Sequence, residues 1–405
     1  MAASFAMVFV RHGTGVCLSR QPEDSPIAPG QWTAIPIERT DGTPPESIDR
    51  LDIDAVGSIE VELVRTGGAR SVESAAGSIT ITPMLVEVTE PGFEPTDGPD
   101  HEWVDPPSIL ERETPPWLWR AYESVAPTVR TVTADTAHGS TYLSIRALEV
   151  LRDRAATLVM NGADASDELA ALAKELRSVR SDMVALTVRV GRAIDRGSAP
   201  PVVLDRTRAA IEEALIADRE AALVAARAVG DVDTIFVFSR SGTVLEAIEH
   251  IDPRRVVTTV ATPGEEGIEV AEALADRFEV VLAPDAAVGS LLDDEVDVVL
   301  LGADGVDDEG RVTNKLGSLT IAAVAAQLDV LCYVVTATAK LCAAGAVPRE
   351  RVPSGSLYAG EASIDVRVDR FDRTPSTLIA GYCTESGVLS LERVRAIAEA
   401  NAAFR

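Results

Sequence analysis

The sequence predicts an α/β protein in three parts: a small, mostly β, α+β domain over residues 1–128, a helical subdomain over 129–228 and a parallel-sheet α/β domain over 229–405. Three observations predict it. Short β-type runs between Gly, Pro and Asp clusters fill the first part, three- and four-residue apolar steps fill the second, and continuously apolar strands alternating with helices fill the third.

In the first part the runs are Met7-Val8-Phe9-Val10, Ile59 to Val64 and Ile79 to Val86. The second part repeats Leu143, Ala147, Leu151, then Leu169, Leu172, Leu176, then Met183, Leu186, Val190. A break at Pro200-Pro201 precedes a further helix through Ile211, Leu215 and Ala222. The third part reads strand 234–238, helix 243–250, strand 255–260, helix 267–276, strands 279–282 and 296–301, helix 317–327 and strand 330–335. Strands apolar on both faces and joined by helices form parallel sheets, and ligands bind beyond the carboxyl ends of such strands.

Across the 405 residues, 37 basic residues against 64 acidic ones give a net charge of −27, which argues against direct nucleic-acid binding, since phosphate contacts need clustered cations. With 46% hydrophobic and 25% charged residues the chain is globular rather than disordered. Only Lys174, Lys315 and Lys340 are lysines. An acidic, lysine-poor surface suits a high-salt cytoplasm, so the expectation is a cytoplasmic protein of a halophilic, haloarchaeal source. The start lacks a basic signal-peptide region and no run of about 18 apolar residues occurs, so no membrane association is expected. The cysteines, Cys17, Cys332, Cys342 and Cys383, have neither disulfide nor zinc spacing, and Cys332 sits in an apolar run as a buried small hydrophobe would. His12, His101, His138 and His250 have no partner at ligand spacing, so neither metal nor cofactor is expected.

The chemistry concentrates at strand ends. Strand 234–238 runs into Ser239-Arg240-Ser241-Gly242-Thr243, where hydroxyls, a guanidinium and a glycine before a helix make either a phosphate cradle or an ordinary serine cap. Strand 296–301 runs into Gly302-Ala303-Asp304-Gly305-Val306, then Asp307-Asp308-Glu309 read as a solvated turn, then Asn314-Lys315 before the next helix. Asp304 offers a carboxylate, Asn314 an amide, and Lys315 and Lys340 point charges, two of the three lysines following strands of one sheet.

The run Gly302-Ala303-Asp304-Gly305-Val306 with Gly310 to Ser318, containing Asn314-Lys315-Leu316-Gly317, resembles the signature shared by the α/β/δ regulatory subunits of translation initiation factor 2B and the isomerases of methylthioribose-1-phosphate and ribose-1,5-bisphosphate. Phe371-Asp372-Arg373-Thr374-Pro375 and Thr384-Glu385-Ser386-Gly387-Val388 resemble its ending, and Gly139-Ser140-Thr141 and Arg180-Ser181-Asp182-Met183 its helical segments, so the resemblance spans roughly 130–405. It implies a Rossmann-like domain that pairs into a homodimer. It also implies a phosphorylated small-molecule ligand, a nucleotide or sugar phosphate, held by Gly139, Ser140, Thr141, Arg180, Arg240, Ser241, Gly242, Asn314, Lys315 and Lys340, and a possible translation-factor partner.

For the isomerases the resemblance implies acid/base proton transfer by a cysteine and the aspartate corresponding to Asp304. Here Ser239 stands at the cysteine position, Thr262 where the family has arginine and Ser181 where it has proline. A hydroxyl is a far poorer acid than a thiol, so the reading favours a regulatory, ligand-binding protein. The alternatives are an active isomerase using Asp304 with Ser239 or water, and a protein–protein scaffold.

Residues 5–125 resemble a Nudix hydrolase domain through Gln31-Trp32-Thr33-Ala34-Ile35-Pro36 and His101-Glu102-Trp103-Val104. That family carries glutamates on one helix face to hold divalent metal. The best register, Arg50 to Gly57, keeps only Arg50, Asp54 and Gly57, so a Nudix-like scaffold without hydrolase activity is expected.

Overall fold

A computed structural model describes residues 3–39, 48–53, 57–75, 77–90, 92–194, 197–294, 296–345, 347, 351, 357–358 and 360–404. The described chain forms two compact units. Unit 1 takes residues from 1–134, 149–170 and 196–207, and unit 2 takes those from 135–148, 171–195 and 208–405. Of the helical zone 129–228, residues 129–134, 149–170 and 196–207 fall in the first unit and the rest in the second.

Unit 1 is built on a nine-stranded sheet. Its strands are β1 (Ser4–His12), β2 (Gly15–Arg20), β3 (Trp32–Thr33), β4 (Ile35–Arg39), β5 (Arg50–Ile53), β6 (Gly57–Thr66), β7 (Arg70–Ser74), β8 (Gly77–Val88) and β9 (His101–Val104). β1 lies parallel to β8 and antiparallel to β2 and β4. Because side chains alternate along a strand, Phe5, Met7 and Phe9 enter one core with Leu18, Ile81, Leu118 and Tyr122, while Ala6, Val8 and Val10 enter another with Ile59, Met84 and Val86. The register proposed for a Nudix box falls on β5 and the start of β6, paired antiparallel, with Asp54 outside the described residues. The reason is the period: Ile59 and Val61 are buried and Glu60 and Glu62 exposed, an alternation that forms a strand and puts no row of carboxylates on a helix face.

After α1 (Leu118–Glu123) and α2 (Val129–Ala134) come α3 (Ser140–Met160), α4 (Ser166–Val179), α5 (Val184–Ala193) and α6 (Pro200–Val229), with Pro200-Pro201 at the start of the last, where proline's missing N–H costs nothing. In unit 1, α3 contributes Arg152, 1% exposed, whose Nε donates to Asp153 Oδ1 and Nη1 to Asp105 Oδ1, each at 2.8 Å. Burial pushes the Asp153 carboxyl up to about 6 against the opposing pull of Arg152, which itself stays charged.

Unit 2 carries a seven-stranded sheet in the order β12-β11-β10-β13-β16-β19-β20. In chain order its elements are β10 (Thr234–Val237), α7 (Gly242–Ile251), β11 (Arg255–Thr259), α8 (Glu266–Leu274), β12 (Glu279–Ala283), α9 (Val288–Asp294), β13 (Val298–Leu301), β14 (Gly305–Asp307), β15 (Val312–Lys315), α10 (Ser318–Gln327), β16 (Leu331–Val335), β17 (Leu341–Cys342), β18 (Phe371–Thr374), β19 (Gly381–Thr384), β20 (Gly387–Leu389) and α11 (Leu391–Ala402). The strands from β12 to β19 pair in parallel and β20 closes the edge as a hairpin. From β10 the chain winds one way to β11 and β12, and from β13 the other way to β16 and β19, so the topological switch point lies between β10 and β13.

A second, four-stranded sheet, β17-β14-β15-β18, was not foreseen and corrects two expectations. Asn314 and Lys315 end strand β15 and are buried. Asp307 is no solvated residue: it is 8% exposed and its Oδ1 accepts the Glu309 and Arg311 amides at 3.0 and 2.9 Å, closing the hairpin through Gly310 at φ +74°.

Candidate functional site

Two neighbouring cavities of about 390 and 440 Å3 open at the switch point in unit 2 and share Gly139, Ser140, Arg240, Asp304 and Asn314. Every residue expected at the site lines one or both. Arg180, Ser239 and Lys315 line the first, and Thr141, Ser241, Gly242 and Lys340 the second. Sequence reasoning missed Glu266, Arg370, His138 and Asp218, which line them as well. Nothing singles out one glutamate or arginine in so charged a chain. A dipeptide signal existed only for His138, which precedes Gly139.

The floor is made by strand ends. Ser239, just past β10, adopts φ +59°, a left-handed conformation that costs a non-glycine residue on the order of 1 kcal/mol and turns the chain sharply into α7. Ser241 caps α7, its Oγ accepting the Val244 amide at 3.4 Å, as an ordinary serine cap does. Gly302, past β13, is demanded by a close approach: a Cβ there would sit 2.6 Å from Ser241 Oγ. Asp304 follows, its amide donating to Thr313 O at 2.9 Å.

Three of the cations around this floor, Arg180, Arg240 and Lys315, are engaged within the chain. Arg240 donates to Ala137 O at 3.0 Å and pairs with Glu269 at 3.3 Å, and Arg180 donates to Asp135 O at 2.7 Å with Asp182 at 3.7 Å. Lys315 Nζ donates to both Glu266 oxygens, at 2.7 and 2.6 Å, and to Pro263 O. Asn314 Nδ2 donates to Ser318 Oγ at 2.9 Å. The loop bearing Thr262, where an arginine was expected from the resemblance, is clamped from β12's end: Asp285 accepts the Ala261 and Thr262 amides, each at 2.8 Å. Burial raises that carboxyl, but these amide donations outweigh it and hold it below its ordinary value. Two motif residues of the chain's end act structurally. Asp372 Oδ2 accepts the Gly317 and Leu319 amides at 2.7 and 3.1 Å, capping α10, and Glu385 accepts the Thr338 amide at 2.9 Å.

No thiol reaches the floor. All four cysteines are buried and none lines either cavity, and burial pushes Cys17, Cys332 and Cys383 up to about 12. His101, 4% exposed in unit 1, is a packed residue, its ring 3.0 Å from Thr96 O. Among the described residues no three His, Cys, Asp or Glu side chains converge as a metal site requires, and no helix is long and apolar enough to cross a membrane.

The arrangement can bind an anion beside a polar group. Two helix N-termini, α3 at Ser140 and α7 at Gly242, line the same space as arginine and lysine side chains and the carboxylates of Asp182, Asp218, Glu266 and Asp304. A doubly wound sheet with its cavity at the switch point defines the class of protein. The chain belongs to the Initiation factor 2 subunit family, which it matches over residues 136–391. It is 27% identical over 276 residues to a translation initiation factor eIF-2B subunit 2-like protein of Pyrococcus horikoshii, covering 60% of this chain and 96% of that one. It is also 30% identical over 136 residues to a methylthioribose-1-phosphate isomerase of Syntrophus aciditrophicus, covering 29% of this chain and 37% of that one. Among solved structures, the tetrameric eIF2B-beta2-delta2 complex from C. thermophilum shares the fold with a TM-score of 0.53 at 16% identity, over 73% of this chain and 98% of that chain. The relatives thus include both eIF-2B-like proteins and isomerases.

Proposed function

We propose that this protein is an initiation factor 2B-like regulatory protein that binds a phosphorylated small molecule in the switch-point cavities, without isomerase or Nudix hydrolase activity. The observation that carries the reading is the joint placement of Arg180, Arg240, Lys315 and Lys340 around Asp304 while every cysteine is buried elsewhere. The phosphate takes the cationic rim and the α3 and α7 N-termini, and Asp304 faces the sugar hydroxyls, because a carboxylate next to phosphate is repelled unless cations intervene. Unit 1 then serves as a Nudix-like scaffold without hydrolysis. Assembly is a two-fold homodimer formed largely by residues after 300, since isologous pairing is the commonest closed form, and a translation factor is the partner in view. The likeness to a relative found as a tetrameric complex supports assembly of some kind.

The test is thermal unfolding with pentose phosphates and nucleoside monophosphates, because a ligand that binds only the folded state raises the melting temperature. If none does, the chain is a protein–protein scaffold. One observation favours an isomerase as the second reading: Asp304 and Ser239 line the same cavity. NMR of the protein with aldose phosphates decides it, and ketose formed at more than trace turnover and abolished by Asp304→Asn overturns the regulatory reading.

A further inference from the structure

Lys315 is 6% exposed, and its ammonium carries three N–H donors. All three are spent within the chain, on Glu266 Oε1, Glu266 Oε2 and Pro263 O. In this state the lysine at the heart of the cavity has nothing left to offer an anion.

The backbone is shaped to produce that state. Gly264 holds φ +114°, and the space a Cβ would fill there is taken by the Glu266 carboxylate, 2.7 Å from Oε1 to the ideal Cβ position. Glu265 follows at φ +62°, and the preceding turn is fixed by Asp285. A glycine at 264 thus lets Glu266 fold back across its own turn onto Lys315. The Glu266 side chain remains 29% exposed and lines the cavity, so a route outward is open. As the first residue of α8 it has a second favourable place, since a carboxylate at a helix N-terminus is stabilised by the dipole.

The charges around the two cavities give the pair its consequence. Arg180, Arg240, Lys315, Lys340 and Arg370 face Asp182, Asp218, Glu266 and Asp304. A phosphate dianion entering between Glu266 and Asp304 meets nearly balanced surroundings. Displacing one carboxylate shifts the balance toward the ligand.

We propose that Glu266 is a built-in competitor for the ligand's phosphate: it occupies Lys315 in the free protein and must be displaced before Lys315 binds the anion, so that it sets both the affinity and the selectivity for phosphate over weaker anions. This rests on the phosphate-binding reading above and names the residue that limits it.

Calorimetric titration of the full chain at constant ionic strength, with inorganic phosphate and with ribose 5-phosphate, tests it on wild type, Glu266→Gln, Glu266→Ala, Lys315→Ala and Glu266→Gln/Lys315→Ala. The amide keeps the shape of the glutamate and removes its charge. Phosphate affinity should rise on the order of tenfold in Glu266→Gln, rise likewise in Glu266→Ala, and show no gain in the double variant, because the gain passes through Lys315. Binding to wild type that is unchanged or weaker in both single Glu266 variants overturns the competitor role and leaves the phosphate-binding reading standing. A gain that survives in the double variant also overturns it. Absence of binding to wild type and to every variant sinks both.

Discussion

The two units treat buried arginine and lysine in opposite ways. In unit 1, Arg152 is enclosed, 1% exposed, and donates to Asp153 and Asp105. In unit 2, Lys315 is also enclosed, yet its partner Glu266 is 29% exposed and lines a cavity, where the proposal above has a ligand's phosphate displace it. Burial of a charge therefore does not by itself mark a site; the two ion pairs differ in that the acidic partner of Lys315 lines a cavity where strand ends and helix N-termini gather.

Removing the cation should separate the two most clearly. Arg152→Ala leaves Asp105 and Asp153 facing each other without compensation and should cost about 3–5 kcal/mol in denaturant unfolding, with phosphate affinity in the surviving folded fraction unchanged. Lys315→Ala should instead weaken phosphate-ligand binding by about 1–3 kcal/mol, the scale of a charge-assisted hydrogen bond, and leave the fold largely intact. Lys174, exposed on α4, is its control, and equal effects from both lysines would mean that the site is misplaced.

A pH series sharpens the contrast from the acid side. The Asp153 carboxyl is raised to about 6 when folded, above its unfolded value near 3.9. The folded state therefore holds this proton more tightly, so this group's contribution to stability is fully present below about pH 4, is lost as pH rises toward about 6 and levels off beyond, a change of about 3 kcal/mol for a pKa difference of about two. The check is the pH dependence of the unfolding midpoint in wild type against Asp153→Asn, in which this component should vanish. The smallest effect concerns support for the site: Asp372→Ala uncaps α10 and should cost about 1 kcal/mol of stability, with little change in phosphate affinity.

The sheet of unit 2 was legible because its strands are apolar on both faces and end at abrupt polar runs, which also delivered the floor of the site: Ser239 to Thr243 after β10 and Gly302 to Asp304 after β13. The strand at Asn314-Lys315 was not legible, since Val312-Thr313-Asn314-Lys315 is too short and polar to show a period. Its pairing with β18 joins residues far apart in sequence. Glu266 was hidden for a different reason: in a chain with 64 acidic residues, nothing local distinguishes a carboxylate that meets Lys315 from one that meets water. In unit 1, the run His101 to Val104, which resembles a late strand, is a strand paired with β2, while the register through Arg50 to Gly57, matched to a motif that its family carries on a helix, lies on a hairpin.

The Asp285 clamp on the Ala261 and Thr262 amides has a consequence in time. Because the loop beside Lys315 is tied down by a neighbouring strand end, it does not have to search for its shape when a ligand arrives. The slow coordinate left to the encounter is the rotation of a single glutamate side chain, a motion of nanoseconds. Association followed by rapid mixing should accordingly appear as one phase whose rate grows in proportion to ligand concentration, with no plateau from loop closure.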